Sequence, residues 1–482
     1  MFMGTGSDVG KSLIVAGLAR AFVKRGLKVA PFKPQNMSNN AAIAIEGGEI
    51  GRAQHLQARA AKIAPSVHMN PILLKPESDI GAQVIVQGKR KATMKARDFF
   101  RERMQFMPAI LESFQTLAKN YDLILVEGAG SPAEVNLRNG DLANMGFAAA
   151  ADIPAILIGD IHRGGVIASL IGTKAVLDDA DAARVKGFLI NKFHGNPELF
   201  SEGRDMIAAK TGWPCFGVVP HFPAARKLPA EDAVTLEEST ASNSKGLKIC
   251  VLQLPRIANF DDMDPLRQQP GVSLSFLKPG EPIPGDTKLV IIPGSKSTIA
   301  DLDSVRIHGW DVDIHAHIRR GGYVLGLCGG YQMLGRTIAD PEGIEGKPQT
   351  VDGLGLLDVD TVMTREKTTT LTEATHIASC EKISAYEIHI GSTDGPDRAR
   401  PFSRTAAGNE GAISANGRVM GTYLHGCFSA DKFRESFLTS LGSSVGPFAY
   451  EDEIEATLDA LSAHLETHLD LDAILKAAKQ IS

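Results

Sequence analysis

The stretch GTGSDVGKS, residues 4–12, sets Gly4, Thr5, Gly6, Ser7, Asp8 and Gly10 ahead of Lys11 and Ser12. A glycine-rich turn that closes on Lys-Ser at the start of a helix is a phosphate cradle. Backbone N–H groups face the anion, the lysine reaches the terminal phosphates, and the serine hydroxyl ligates Mg²⁺. The usual spacing, G-x-x-x-x-G-K-[ST], would put the first glycine at position 5; here Thr5 stands there and the glycine is at Gly4. The chemistry expected is ATP·Mg²⁺ binding by a loop one residue longer than usual. Glu127, in LILVEGAG, follows an apolar run. A carboxylate at a strand end near such a loop holds Mg²⁺ directly or through water. Lys33, with Gln35 and Asn36 in FKPQN, adds a cation to the same rim, and Asn191 in LINKF is placed to read an adenine edge.

A second set of residues suits nucleophilic catalysis. In GLCGGYQMLG, Cys328 lies between Gly326-Leu327 and Gly329-Gly330, after an apolar run and before a helical one. This is the G-x-S-x-G elbow with cysteine for serine, in which the glycines permit a turn tight enough to expose the nucleophile. A helix N-terminus favours the thiolate. The Gly329 N–H is expected to face an oxyanion, with Gly294 and Ser295 of IIPGS supplying a second donor. Of the 13 histidines, His425 in GTYLHGCF follows the apolar run RVMGTYLH and is the expected base; His389 in YEIHIG competes with it.

These groups need strands that end beside them. GLKVAPFK, YDLILVEGAG, IPAILIGD and VKGFLINKF are short apolar runs with polar punctuation, and helical stretches such as KSLIVAGLARAFVKRG lie between them. The rhythm predicts a parallel sheet covered by helices, with ligands at the carboxyl ends of its strands. The polar stretch TLEESTASNSKG, residues 235–246, reads as a linker. The rhythm restarts in LKICVLQLP, TKLVIIPGS and GGYVLGLCGG, a second α/β domain. From about residue 450 the periodicity is helical, which is read as a tail of the second domain. The expected domains are 1–234 and 247–435, with a helical tail at 436–482.

The chain has 482 residues, too long for one core. Its 43% hydrophobic and 22% charged residues are ordinary for a soluble protein, and a net charge of -5 without a long basic run makes nucleic acid a poor partner. The apolar stretches are too short and interrupted to span a membrane. Cys215, Cys250, Cys328, Cys380 and Cys427 are far apart, and the first residues carry no signal-peptide pattern. Both point to the cytoplasm.

GLCGGYQMLG with GTYLHG resembles the class I glutamine amidotransferase domain in its cobyrinic/cobyric acid synthase subtype. That class carries His-x-Glu as the second and third triad members, but Cys427 stands two residues after His425. The cobalamin-pathway subtype shares the departure and looks like a Cys-His dyad, so the group orienting His425 is expected elsewhere and is not assigned. The N-terminal half resembles the dethiobiotin synthetase-like ATPases, whose phosphate loop has the extra residue. PFKPQNMSNNA, EIGRAQHLQA, MNPILLKP, VEGAGSPAEVNL and INKFHG extend the likeness to the cobyric acid synthases, from the first residues to about 435. GDIHRGG departs from it, with His162 where aspartate is expected.

The resemblance implies a two-domain α/β protein: an N-terminal P-loop ATPase domain with a parallel sheet and a C-terminal amidotransferase-like domain. It implies a carboxylate activated by ATP·Mg²⁺ as an acyl phosphate, and ammonia released from glutamine through a Cys328 thioester. The implied acceptor is a corrinoid, adenosylcobyrinic a,c-diamide, amidated at carboxylates b, d, e and g to adenosylcobyric acid. The rival in the same pathway is a,c-diamide synthase. The rival of another class is a ParA/MinD-like ATPase switch, which needs no exposed cysteine elbow.

Overall fold

The computed structural model describes residues 1–78, 81–230 and 246–480, and the chain divides into two compact units. Unit one comprises Met1–Ser38, Ala44–Pro229 and Glu453–Ser482; unit two comprises Asn39–Ile43 and Ala230–Asp452. Residues 235–245 of the expected linker lie outside the described residues.

In unit one the four apolar runs are strands. Phe2–Gly4, Ala155–Asp160, Val185–Phe193 and Cys215–Pro220 pair in that order, all parallel. Val29–Phe32 pairs parallel with Leu123–Val126, and a parallel bridge between Phe2 and Glu127 joins the two sets. The Gly128 N–H donates to the Phe2 carbonyl at 2.8 Å, so the chain after Leu123–Val126 is drawn beside the first strand. The phosphate loop, Glu127, Asp160 and Asn191 therefore collect at the carboxyl edge of one sheet. Below it Met3, Phe32, Phe114, Phe147, Phe188 and Ile190 form the core.

The C-terminal segment is helical, as its periodicity predicts, over Tyr450–His468 and Leu471–Lys476. From Glu453 on it belongs to unit one, which corrects its reading as a tail of the second domain. The cause is a buried cation. Arg20, in the helix that follows the phosphate loop, is wholly buried and pairs with Glu455 at 2.7 Å and Asp459 at 2.9 Å. Ile454, Leu458, Leu461 and Leu465 bury the helix's apolar face. The five residues Asn39–Ile43 correct the other boundary: they lie inside the expected 1–234 domain but fold with unit two.

In unit two, Val272–Leu277, Leu247–Leu252, Leu289–Ile292, Tyr323–Leu327 and Val419–Thr422 form a parallel sheet in that order, closed by the antiparallel edge Ala412–Ile413. A second, mostly antiparallel sheet is dominated by Asp360–His376 paired with Lys382–Asp394. Among the described residues no helix is long and apolar enough to cross a membrane.

Candidate active site

The displaced glycine of the phosphate loop has a steric cause. A Cβ at Gly4 would lie 2.6 Å from Val9 Cγ2 and 2.7 Å from the Gly6 carbonyl oxygen, because the loop folds back over this position. Lys11 opens the helix Lys11–Lys24, and its ammonium donates to the carbonyls of Gly6 at 3.0 Å and Gly130 at 3.4 Å. Ser12 Oγ donates to Glu127 Oε1 at 2.7 Å. Lys33 Nζ donates to the same oxygen at 2.8 Å, and Gln57 Nε2 donates to Glu127 Oε2 at 2.5 Å. Glu127 is fully buried, and these three donors satisfy its carboxylate oxygens. The sequence reading brought Lys11, Ser12, Lys33 and Glu127 together but not Gln57, on the helix Arg52–Ala60. Asn191 Nδ2 donates to the Val9 carbonyl at 2.8 Å, so the side chain expected at an adenine edge also braces the loop. His162, at the same edge, meets His194 through Nδ1 and Nε2 at 2.9 Å.

In unit two, neighbouring parallel strands deliver Cys328 and His425, the expected nucleophile and base. Leu327 pairs with Thr422, and the Cys328 N–H donates to the Thr422 carbonyl at 2.8 Å. Cys328 has φ 52° and ψ -108°, a left-handed conformation that costs a side-chain-bearing residue energy. The turn closes because Gly330 is bare: a Cβ there would meet the Ile292 carbonyl oxygen at 2.0 Å. His425 Nδ1 lies 2.6 Å from Asp262 Oδ2, and the Gly426 N–H donates to Asp262 Oδ1 at 2.6 Å. The Tyr386 ring stacks on the imidazole at 5.3 Å, and the backbones of Tyr386 and His425 exchange hydrogen bonds. Burial alone would lower the His425 pKa. The charge and hydrogen bond of Asp262, with the hydrogen-bonded Cys328 sulfur, outweigh burial and push it up to about 10. The imidazole is therefore protonated beside the sulfur at neutral pH.

The chain matches the CobB/CobQ-like glutamine amidotransferase domain over residues 248–433 and the CobQ/CobB/MinD/ParA nucleotide binding domain over residues 1–236. It is 59% identical to a cobyric acid synthase of Methylorubrum populi, over 100% of this chain and 99% of that one. It is 60% identical to those of Bradyrhizobium diazoefficiens and Rhodobacter capsulatus, over 99% of each pair. The chain belongs to the cobyric acid synthase family.

Within this family member, Asp262 occupies the place left open in the sequence reading. It sits in the short helical turn Phe260–Met263, 163 residues before His425. Its only local signal is the acidic run in NFDDMD, where three aspartates are equal candidates. Cys427 cannot stand in for a carboxylate. Burial pushes its thiol well up, and the charges of Asp262 and Glu410 add to the effect. The Gly294–Ser295 strand is registered against Ile257–Ala258 and lies beside the elbow, with Ser295 N 3.0 Å from where a Gly329 Cβ would be. The Ser295 hydroxyl donates to Asp301 at 2.6 Å, which leaves the backbone as the donor on this side. His389 does not touch Asp262; its ring stacks on Tyr423 at 3.8 Å.

Proposed function

We propose that this cobyric acid synthase family member amidates the b, d, e and g carboxylates of adenosylcobyrinic a,c-diamide, using ATP and glutamine. The observation that carries the reading is the convergence of Cys328, His425 and Asp262 in a chain that also has a phosphate loop with Lys11, Ser12 and Glu127 at one sheet edge.

In unit two the Cys328 sulfur, whose proton His425 carries, attacks the side-chain amide of glutamine as the thiolate. The Gly329 N–H, with a backbone donor from Gly294–Ser295, faces the developing oxyanion. His425 gives its proton to the departing nitrogen, so ammonia leaves and a thioester remains. Water, deprotonated by His425, then attacks the thioester; the C–S bond breaks, glutamate leaves, and the sulfur is again deprotonated beside a protonated His425. Asp262 fixes the imidazole's tautomer and orientation and stabilises its charge.

In unit one a substrate carboxylate attacks the terminal phosphorus of ATP, giving an acyl phosphate and ADP. Ammonia displaces phosphate to form the amide. Lys11 follows the transferred phosphoryl group, and the loop N–H groups hold the others. Ser12 and Glu127 offer hard oxygens 2.7 Å apart, a donor set that suits Mg²⁺ shared with nucleotide phosphates. Bound there, Mg²⁺ neutralises phosphate charge. Lys33 and Gln57 keep the Glu127 carboxylate in place. Asn191 supports the loop and takes the adenine edge.

The test is product mass after incubation with ATP, glutamine and the a,c-diamide. Four successive exchanges of hydroxyl for amine are expected. Fewer, or amidation only at a and c on the unamidated ring, would favour the a,c-diamide synthase reading. ATP turnover without any glutamate release would favour the ATPase switch.

A further inference from the structure

The strand Gly294–Ser295, which lies beside the elbow, is two residues long and pairs antiparallel with another of two, Ile257–Ala258, in a sheet of their own. A ribbon this short has little stability by itself. A donor for an oxyanion is effective only when it is fixed before the charge develops. The ribbon therefore needs an outside support. In its register the pair that follows Ile257–Ser295 is Arg256–Lys296, and the Lys296 N–H donates to the Arg256 carbonyl at 2.9 Å. Bonded and non-bonded pairs alternate along an antiparallel ribbon, so Ile257–Ser295 is a non-bonded pair and the Ser295 N–H turns away from the partner strand. It turns to the elbow, where Ser295 N is 3.0 Å from the place of a Gly329 Cβ.

The support is a buried carboxylate. The Arg256 N–H donates to Asp301 Oδ2 at 3.2 Å, and the Ser295 hydroxyl donates to the same oxygen at 2.6 Å. One oxygen thus ties both strands of the ribbon. The Ser297 N–H donates to Ser295 Oγ at 3.0 Å and fixes the hydroxyl that makes the link. Asp301 itself is wholly buried on the helix Thr298–Ile307. That helix is anchored at its start: Glu345 accepts the Thr298 and Ile299 N–H groups at 2.9 Å each, and Thr298 Oγ1 donates at 3.1 Å to Gln332, a residue of the helix that follows Cys328. Asp301 Oδ1 has no hydrogen-bond partner among the described residues, and the Arg256 guanidinium stands 3.7 Å from it. Burial pushes the Asp301 pKa up to about 6, against the pull of Ser295 and Arg256, so the carboxylate is ionised at neutral pH. A buried charge with one bare oxygen is costly, and what it supplies here is the place of the ribbon.

We propose that Asp301 is a positioning residue for amide hydrolysis at Cys328, clamping the ribbon so that the Ser295 N–H is held against the elbow as an oxyanion donor. This rests on the glutaminase reading of Cys328. Asp301 touches neither the sulfur nor the imidazole; it acts through Ser295 and Arg256. The same clamp serves the other strand, since the chain that leaves Ile257–Ala258 enters the turn Phe260–Met263 that carries Asp262. Without the clamp the donor is still present but no longer fixed, and a donor displaced by about 1 Å forfeits much of what it gives the transition state.

The test measures glutamate release from glutamine by the full chain and, beside it, alkylation of Cys328 by iodoacetamide, read by peptide mass. Alkylation displaces iodide at a saturated carbon and builds no oxyanion, so it needs the sulfur but not the Ser295 donor. Asp301→Ala should lower kcat for glutamate release about 10–100-fold, with KM and the alkylation rate each within about threefold of the unsubstituted chain's. Asp301→Asn keeps an oxygen that can accept both hydrogen bonds and should restore kcat to within about fivefold. Ser295→Ala keeps the backbone donor and cuts only the link, and should show the same selective loss at about 3–10-fold. Cooperative unfolding of each variant is measured alongside, and Ser295→Ala decides the matter if Asp301→Ala does not fold. An unchanged kcat in the folded variant, glutamate release and alkylation falling together, or Asp301→Asn as deficient as Asp301→Ala would overturn the proposal. Absence of glutamate release by the unsubstituted chain would instead overturn the glutaminase reading itself, before any variant is made.

Discussion

At the phosphate loop, Glu127 gathers Ser12, Lys33 and Gln57 from three other segments of unit one. At the elbow, Cys328 and His425 stand at the ends of two adjacent strands, and only Asp262 comes from afar. The first arrangement is a set of fixed charges and donors that waits for phosphate and stores no reactivity of its own. In the proposed function the second holds reactivity in the protein: Cys328 with a positive φ as nucleophile, and an imidazole whose pKa the buried Asp262 raises. Positioning and electrostatics should therefore dominate mutational effects in unit one, whereas in unit two they should follow the protonation of His425.

The largest effect expected is from Lys11→Ala. The lysine sits on loop carbonyls and supports no core, so the variant should fold while amidation falls about a thousandfold to a hundred-thousandfold, with glutamine or ammonium alike. Near-normal turnover with saturating ammonium would break the assignment of phosphate chemistry to unit one.

Asp262→Asn sharpens the other side. Glutamate release should drop about a hundredfold to ten-thousandfold, as the imidazole loses its tautomer and charge support. The pH profile carries the sign. With the His425 pKa raised to about 10, the protonated imidazole persists through neutral pH and is lost only as pH rises through that value. In the variant the alkaline limb should move to lower pH. A fall in rate without that displacement would mean that Asp262 merely supports the turn.

Glu127→Gln keeps shape and removes charge. The expected loss is about 10–100-fold, mainly in kcat, with a changed Mg²⁺ dependence. An unchanged rate and metal dependence would reduce Glu127 to a structural carboxylate held by Lys33. The smallest effect concerns stability alone. Arg20→Met removes a wholly buried guanidinium whose partners, Glu455 and Asp459, are half-exposed and can be solvated. A destabilisation of about 1–3 kcal/mol in urea unfolding is expected, with the elbow's glutaminase chemistry unaffected.

How legible each region was follows from range. The strands and their polar ends could be read because apolar runs and punctuation are local, and Lys11, Ser12 and Glu127 are strand-end or loop residues by that logic. The dyad was legible for the same reason, since Gly326-Leu327-Cys328-Gly329-Gly330 is itself a turn and His425 closes an apolar run. Asp262, Gln57 and Glu455 were not legible. Each acts through a side chain that reaches a partner in a distant segment, and nothing in NFDDMD, QHLQA or EDEIE marks which residue will do so. The placement of Asn39–Ile43 with unit two is of the same kind, since its Ala41 N–H reaches Asn259 Oδ1 at 3.4 Å.

The central claim, that unit two supplies only ammonia and unit one carries out the ATP chemistry, is tested most directly by Cys328→Ala assayed side by side with glutamine and with ammonium chloride at high pH. Removing the sulfur prevents thioester formation and changes little volume, while free ammonia reaches the acyl phosphate without it. The account predicts no amide from glutamine and sustained, ATP-matched amide from ammonium. Loss of both activities in a folded variant, or glutamine-dependent amidation without the sulfur, would contradict it.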